Sequence, residues 1–418
     1  MLVKNKKIIL LMVVIQLGVL GVIGLELVGI KIQGLRFFLG FVYLTFVPGF
    51  LILEVLKVKE TNLVINLLYA VGLSLTFLMF FGLLLNNVLP FFGITRPISS
   101  FPVIVSISVV VIFLICYMVF KFHNKDQLNL VRFSGKTMKN RAKVYILYLL
   151  YPFLSILGTV LINRSGENWI LIVLIPLIAL GFIAPLLFKN IISSDSYFFI
   201  VFVISIALLL HQVLVSSGIR GGDIQLEYYA GYLVKKNGFW NTSNFMVNSN
   251  TVLSVTILPV IYSIVLGVDE LWVFKIIYPF IFSLVPVGLY YVYKLQFGKT
   301  SAFLASFFVV STSTFYILLP TLSKQMVSEF FILLLLLLIV FSKDMSMVNR
   351  KILMLFFCGG LCVSHYTLSY YFLFLGILFL GIKFILKKRV VSNFDGLNNR
   401  YITVNTFLTG NSIGFFWC

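Results

Sequence analysis

Acidic residues are scarce in this chain: 13 Asp and Glu stand against 32 Lys and Arg in 418 residues. Charged residues make up only 11% of it, where a soluble domain carries about a quarter, and 61% of the residues are hydrophobic. That deficit excludes an ordinary water-soluble protein. Cysteine is almost missing too. Cys116, Cys358 and Cys362 fall inside apolar runs and Cys418 is the last residue, so neither a disulfide framework nor a closed zinc site is indicated. Cys358 and Cys362 share a helix face and are read as packing. The chain lacks internal repeats, low-complexity tracts and any polar segment long enough to bury its own core. Its long runs also lack the alternating polar positions of an outer-membrane barrel.

What is present is a series of apolar runs of about 17 to 23 residues, each long enough as a helix to cross a hydrocarbon core of about 30 Å. They define an all-α, polytopic transmembrane bundle. Expected spans lie at 8–28, 35–56, 64–85, 102–120, 144–162, 169–188 and 197–215, with the amino terminus cytoplasmic. The first run follows Lys4, Lys6 and Lys7 like a signal peptide, but its length and the spans behind it favour an uncleaved helix. The loop at 121–143 holds Lys121, Lys125, Arg132, Lys136, Lys139, Arg141 and Lys143, and this placement puts it inside, as the positive-inside rule requires. The net charge of +19 is therefore a topology signal that suits a lipid bilayer with anionic headgroups and calls for no nucleic acid.

One run decides the rest of the topology. The segment 252–266 is only about 15 residues long and contains Pro259, so it is short for a span. Counting it as one would put Lys294, Lys299, Lys343, Arg350, Lys351, Lys383, Lys387, Lys388, Arg389 and Arg400 outside. Treating it as a re-entrant or surface-lying helix puts all of them inside. The remaining spans are then 271–293, 302–319, 326–341, 352–364 and 367–386, about twelve in all.

The outer face so defined collects the scarce acids. The loop at 216–251 carries Arg220-Gly-Gly-Asp223-Ile-Gln-Leu-Glu227-Tyr-Tyr, with a short helix expected over 224–236. If Asp223 opens that helix, Glu227 lies one turn on and shares its face. Later outer turns bring Asp269, Glu270 and Lys275, then Lys324, Gln325 and Glu329, then His365. Two carboxylates four positions apart beside an arginine at a membrane surface form a candidate reaction centre. The plainer readings are a helix cap for Asp223, a surface ion pair of Glu227 with Arg220 or Lys235, snorkelling for Lys275 and Lys324, and a structural role for His365. His211 lies deeper in its run and is left out of the site. Asn241-Thr-Ser and Asn163-Arg-Ser fit the N-glycosylation pattern on the outer side.

With these motifs the region 197–386 resembles the GT-C superfamily of membrane glycosyltransferases. The resemblance rests on GGDIQLEYYAGYLVKKNGFW, LSVTILPVIYSIVLG, LYYVYKLQFGKTSAFLASFF, LSKQMVSEFF and GGLCVSHYTLSY. It is similar in particular to an archaeal branch of predicted glycosyltransferases of unknown specificity. Residues 1–190, with GLRFFLGFVYLTFVPGFLILEVL and YAVGLSL, resemble a multi-span module of unknown role. Residues 387–418 are read as a cytoplasmic tail; its last stretch, VNTFLTGNSIGFFWC, begins like another span and stops where relatives continue, so a truncated product is one reading of it.

The resemblance implies an enzyme that moves a sugar from a polyprenyl-phosphate donor to a glycan, lipid or protein acceptor at the extracytoplasmic face of the cell membrane. Asp223 would be the base of an inverting displacement, assisted by Glu227. Arg220, Lys275, Lys324, Glu329 and His365 would contact substrate or phosphate. Many members carry a further acid in the second outer turn, where only Glu329 stands here, so a divalent metal is left open and no metal ligand is assigned. The alternatives are a multi-span lipid or solute transporter, disfavoured because acids gather at one face rather than at mid-membrane depth, and an inactive truncated scaffold.

Overall fold

The structure, a computed structural model, describes residues 2–58, 62–123, 135–244, 247–342 and 345–387. All but the first residue of the expected tail at 387–418, residues 124–134 of the basic loop, and Lys343 lie outside the described residues. Every regular element among the described residues is helical: α1 (Leu2–Leu27), α2 (Gln33–Leu56), α3 (Leu63–Val88), α4 (Ser100–His123), α5 (Gly135–Ser165), α6 (Trp169–Leu187) and α7 (Tyr197–Val213) come first. Then follow α8 (Asp223–Asn237), α9 (Ile257–Leu266), α10 (Glu270–Trp272), α11 (Tyr278–Ser311), α12 (Ser323–Phe341), α13 (Met347–Ser364) and α14 (Tyr366–Lys387). Ten described helices are long and apolar enough to cross a membrane.

Three elements differ from the sequence reading. α5 starts at Gly135 rather than near 144, so the helix extends past its apolar span into the basic segment. α10, a π turn at Val273–Ile277 and α11 form one continuous run, Glu270–Ser311, of 42 residues. At 1.5 Å per residue an unbroken helix of that length would measure about 63 Å, twice the hydrocarbon core. Gly298 interrupts it with φ 78° and ψ 177°, a backbone state that glycine alone adopts without strain. The expected spans 271–293 and 302–319 lie on either side of this break. The second of them, however, stops early: α11 ends at Ser311 and gives way to a π turn at Thr314–Leu318. The cause is the run Ser311-Thr-Ser-Thr314. There Ser311 donates to the Phe308 carbonyl at 2.9 Å and Thr312 to Val309 at 2.8 Å, so side chains compete for the backbone acceptors that continue a helix.

Long-range hydrogen bonds sort the helix ends into two levels. At one level, the Asn163 amide of α5 donates to the Leu214 carbonyl just past α7 at 2.7 Å. Asn86 of α3 exchanges two hydrogen bonds with the Trp240 backbone, at 2.7 and 3.0 Å, and Arg96 donates to the Lys236 carbonyl at 2.9 Å. Leu253 donates its backbone N–H to Val363 at the end of α13, at 2.8 Å. At the other level, Lys299 beside the Gly298 break pairs with Asp195 ahead of α7 at 2.8 Å, and Tyr197 reaches the Pro185 carbonyl near the end of α6. The outer turns read from the sequence thus fall together, and Lys299 falls with the other set.

α9 belongs to the first level and is short for a crossing. Its ten residues, all buried, rise only about 15 Å, half the hydrocarbon core. Its middle is held where the Tyr262 and Thr45 hydroxyls meet at 3.0 Å. Its last carbonyls, which no helical N–H can reach, are taken by α2: Arg36 donates to Ile264 at 2.7 Å and Val265 at 3.1 Å, and Gln33 to Gly267 at 2.6 Å. The same guanidinium pairs with Glu26 of α1. Packing between α2 and α3 is close because Gly49 lies against the Ala70 backbone, where a side chain would not fit.

Candidate functional site

α8 is the short helix that follows Gly221 and Gly222, and it carries the two acids. Gly222 occupies the cap position, so Asp223 is the first helical residue and not the cap the plainer reading expected. Its carboxylate instead points to another helix. Lys324, at the start of α12, places its Nζ 3.4 Å from Asp223 Oδ2 and 3.3 Å from Glu227 Oε1. The four-residue spacing that puts both acids on one face of α8 therefore lets one ammonium bridge them.

The two acids differ in access. The Asp223 side chain is 55% exposed, Lys324 is 8% exposed and Glu227 is wholly buried. Glu227 Oε2 accepts the backbone N–H groups of Ser323 at 2.9 Å and Lys324 at 3.3 Å. α12 begins after Leu322, which has no side chain able to cap it, so Glu227 caps α12 from a different helix. Burial raises the Glu227 carboxyl above its ordinary range, and the Lys324 ammonium and the two N–H groups oppose that rise in part. Glu227 thus holds the site together from within and does not meet solvent.

His365 lies at the end of α13, close enough to feel both charges. Burial and then the Lys324 ammonium lower its pKa below the ordinary imidazole value, and Asp223 works the other way. Its Nδ1 accepts the Leu368 N–H at 3.4 Å, which leaves Nε2 to carry the proton of the neutral ring. Ser249, which the sequence reading did not single out, completes the group with its Oγ 3.4 Å from Lys324 Nζ. No spacing in the sequence announces it.

Other expected members take different places. Lys235 pairs with buried Glu270 at 3.0 Å and with Ser263 at 2.7 Å, so it pins the far end of α8 to the turn after α9 and is not a partner of Glu227. Tyr228 donates to Asp269 at 3.2 Å; burial and that carboxylate push its hydroxyl up to about 12. Glu329 accepts from Gln325 one turn back at 3.0 Å. Arg220 and Lys275 line a small pocket beside the start of α8 with Gln212, Ser216, Phe274 and Thr321. There the Lys275 ammonium donates to the Ser216 carbonyl. No acid lines this pocket. Two of the three cations expected to surround a phosphate are therefore together, and the third is committed to carboxylates.

No three His, Cys, Asp or Glu side chains cluster among the described residues, and the Lys324 ammonium stands between the only two carboxylates that meet here. Comparison of the chain with protein-family models, with curated proteins and with solved structures finds no match.

Proposed function

We propose that this chain is a GT-C-type membrane glycosyltransferase that moves a sugar from a polyprenyl-phosphate donor to an acceptor hydroxyl at the extracytoplasmic face. The observation that carries the reading is the half-exposed Asp223 carboxylate, held at one end of the helical bundle by a buried lysine and glutamate, beside a pocket lined by two cations and no acid. Twelve crossings and a cytoplasmic amino terminus belong to the same reading. Gly298 then turns the chain between two spans and α14 makes the last.

In this mechanism the acceptor O–H donates to Asp223 as its oxygen attacks the anomeric carbon. The bond from that carbon to the phosphate oxygen breaks, and the phosphate leaves with the electron pair into the Arg220 and Lys275 pocket. A single displacement inverts the anomeric centre. Lys324 and Glu227 act as positioning residues, and no step needs a metal.

The test is sugar transfer from a polyprenyl-phosphate donor in membranes containing wild type or Asp223→Asn. The asparagine keeps the size of the side chain, and Lys324 keeps Glu227, so the variant should fold while transfer falls by about 100-fold or more. Wild-type turnover in the variant overturns the assignment. A carrier is the second reading, favoured by one observation: Gln16, Tyr43 and Ser108, from three helices, meet inside the first part of the bundle.

A further inference from the structure

Two sequons stand in the described chain, and the structure separates them. Asn163 lies in the last turn of α5, inside the span Lys143–Ser165, and its Nδ2 is already bound to the Leu214 carbonyl. An acceptor asparagine must offer its amide nitrogen on backbone that a transferase can draw into a turn, and neither holds for a helical residue at the edge of a bilayer. Asn241 has both properties. It lies 28 residues beyond Val213 at the end of α7 and 16 before Ile257 at the start of α9, outside any span.

Asn241, Thr242 and Ser243 are all exposed. The Asn241 Oδ1 accepts both the Ser243 backbone N–H at 3.0 Å and the Ser243 hydroxyl at 2.7 Å. Donation to the amide oxygen draws electrons from Nδ2 and eases loss of its proton, which is the chemistry a sequon hydroxyl supplies. Behind the turn, Asn250 Nδ2 donates to the Asn241 and Thr242 carbonyls at 3.1 and 3.0 Å, and Trp240 is tied to Asn86. The turn is thus anchored through its backbone, and no hydrogen bond from Asn241 Nδ2 is found among the described residues.

We infer that Asn241 is an N-glycan acceptor and that Asn163 is not. The donor class is an oligosaccharide on a lipid phosphate, used by a separate oligosaccharyltransferase. A bond forms between Nδ2 and the anomeric carbon, the bond from that carbon to the lipid phosphate breaks, the phosphate leaves with the electron pair, and one Nδ2 proton passes to the transferase base. The inference requires the site level to face outward and holds whether or not the chain is itself a glycosyltransferase.

The experiment expresses the full chain in a host that glycosylates extracytoplasmic sequons and compares intact mass with and without a glycan-releasing enzyme. Wild type and Asn163→Gln should carry one glycan, and Asn241→Gln and Ser243→Ala should carry none. An unmodified wild type, in membranes where a resident sequon-bearing protein is occupied, overturns the inference. So does a glycan that survives Asn241→Gln or is lost with Asn163→Gln.

Discussion

Replacing Glu227 should cost more stability than replacing any other acid in the chain. Glu227→Ala removes the fully buried partner of an ammonium that is itself only 8% exposed, and leaves Lys324 with the half-exposed Asp223. Breaking a buried pair from one side costs about 3–5 kcal/mol, and uncapping a helix about 1 kcal/mol; the two overlap because the same carboxylate serves both. Glu227→Gln keeps an oxygen for the Ser323 N–H and gives up only the charge, so its cost should be about 1–3 kcal/mol. Asp223→Ala, a partly solvated half of the arrangement, should cost at most about 1 kcal/mol. Thermal unfolding of the purified protein in detergent, followed by helical circular dichroism, gives the order: wild type, Asp223→Ala, Glu227→Gln, Glu227→Ala. A loss below about 1 kcal/mol for Glu227→Ala, the range of an exposed ion pair, refutes the reasoning, because it would mean the pair is solvated and α12 needs no cap.

Three further outcomes are expected. Single cysteines at Ser243 and Lys299 should react with impermeant thiol reagents from opposite sides of the membrane, Ser243 from outside; labelling from one side alone removes the re-entrant assignment of α9 and the site with it. Binding of a polyprenyl-phosphate analogue should fall in the order wild type, Arg220→Lys, Arg220→Gln, with Lys299→Gln at the opposite level unchanged; equal binding by all four empties the pocket of its role. His365 has its pKa lowered from the ordinary 6.5, so near that pH the folded state binds fewer protons than the unfolded one, and stability present above it is lost as pH falls. Melting temperature should therefore drop less between pH 7.5 and 5.5 in His365→Gln than in wild type, and an equal drop in both excludes His365 as a titrating group.

The apolar runs made the helices legible, because each run had to be long enough to satisfy its own backbone in lipid. The shortness of 252–266 was legible too, and α9 is a helix of only ten residues. Asp223 and Glu227 were legible as a pair from their spacing, but their shared lysine was not: Lys324 is 101 residues from Asp223, and nothing local distinguishes a lysine that bridges two acids from one that waits for a phosphate. The same holds for Ser249. The broken end of α11 was written locally, in Ser311-Thr-Ser-Thr314, but mean hydropathy carried the expected span straight through it. In each miss the deciding term was a hydrogen bond, and an apolarity pattern does not record hydrogen bonds.

The bond from Arg36 to the carbonyl of Ile264 spans 228 residues of sequence. During synthesis α1 and α2 are made long before α9, and the Arg36–Glu26 pair lies wholly within these first two helices. When α9 emerges, its free carbonyls find a partner already in place, and the turn that carries Lys235, Ser263 and Glu270 is set down on that support. The first helices are thus the dock on which the later loop is moored. Cutting the chain between 190 and 197 would leave the last carbonyls of α9 dependent on a separate piece for their partner.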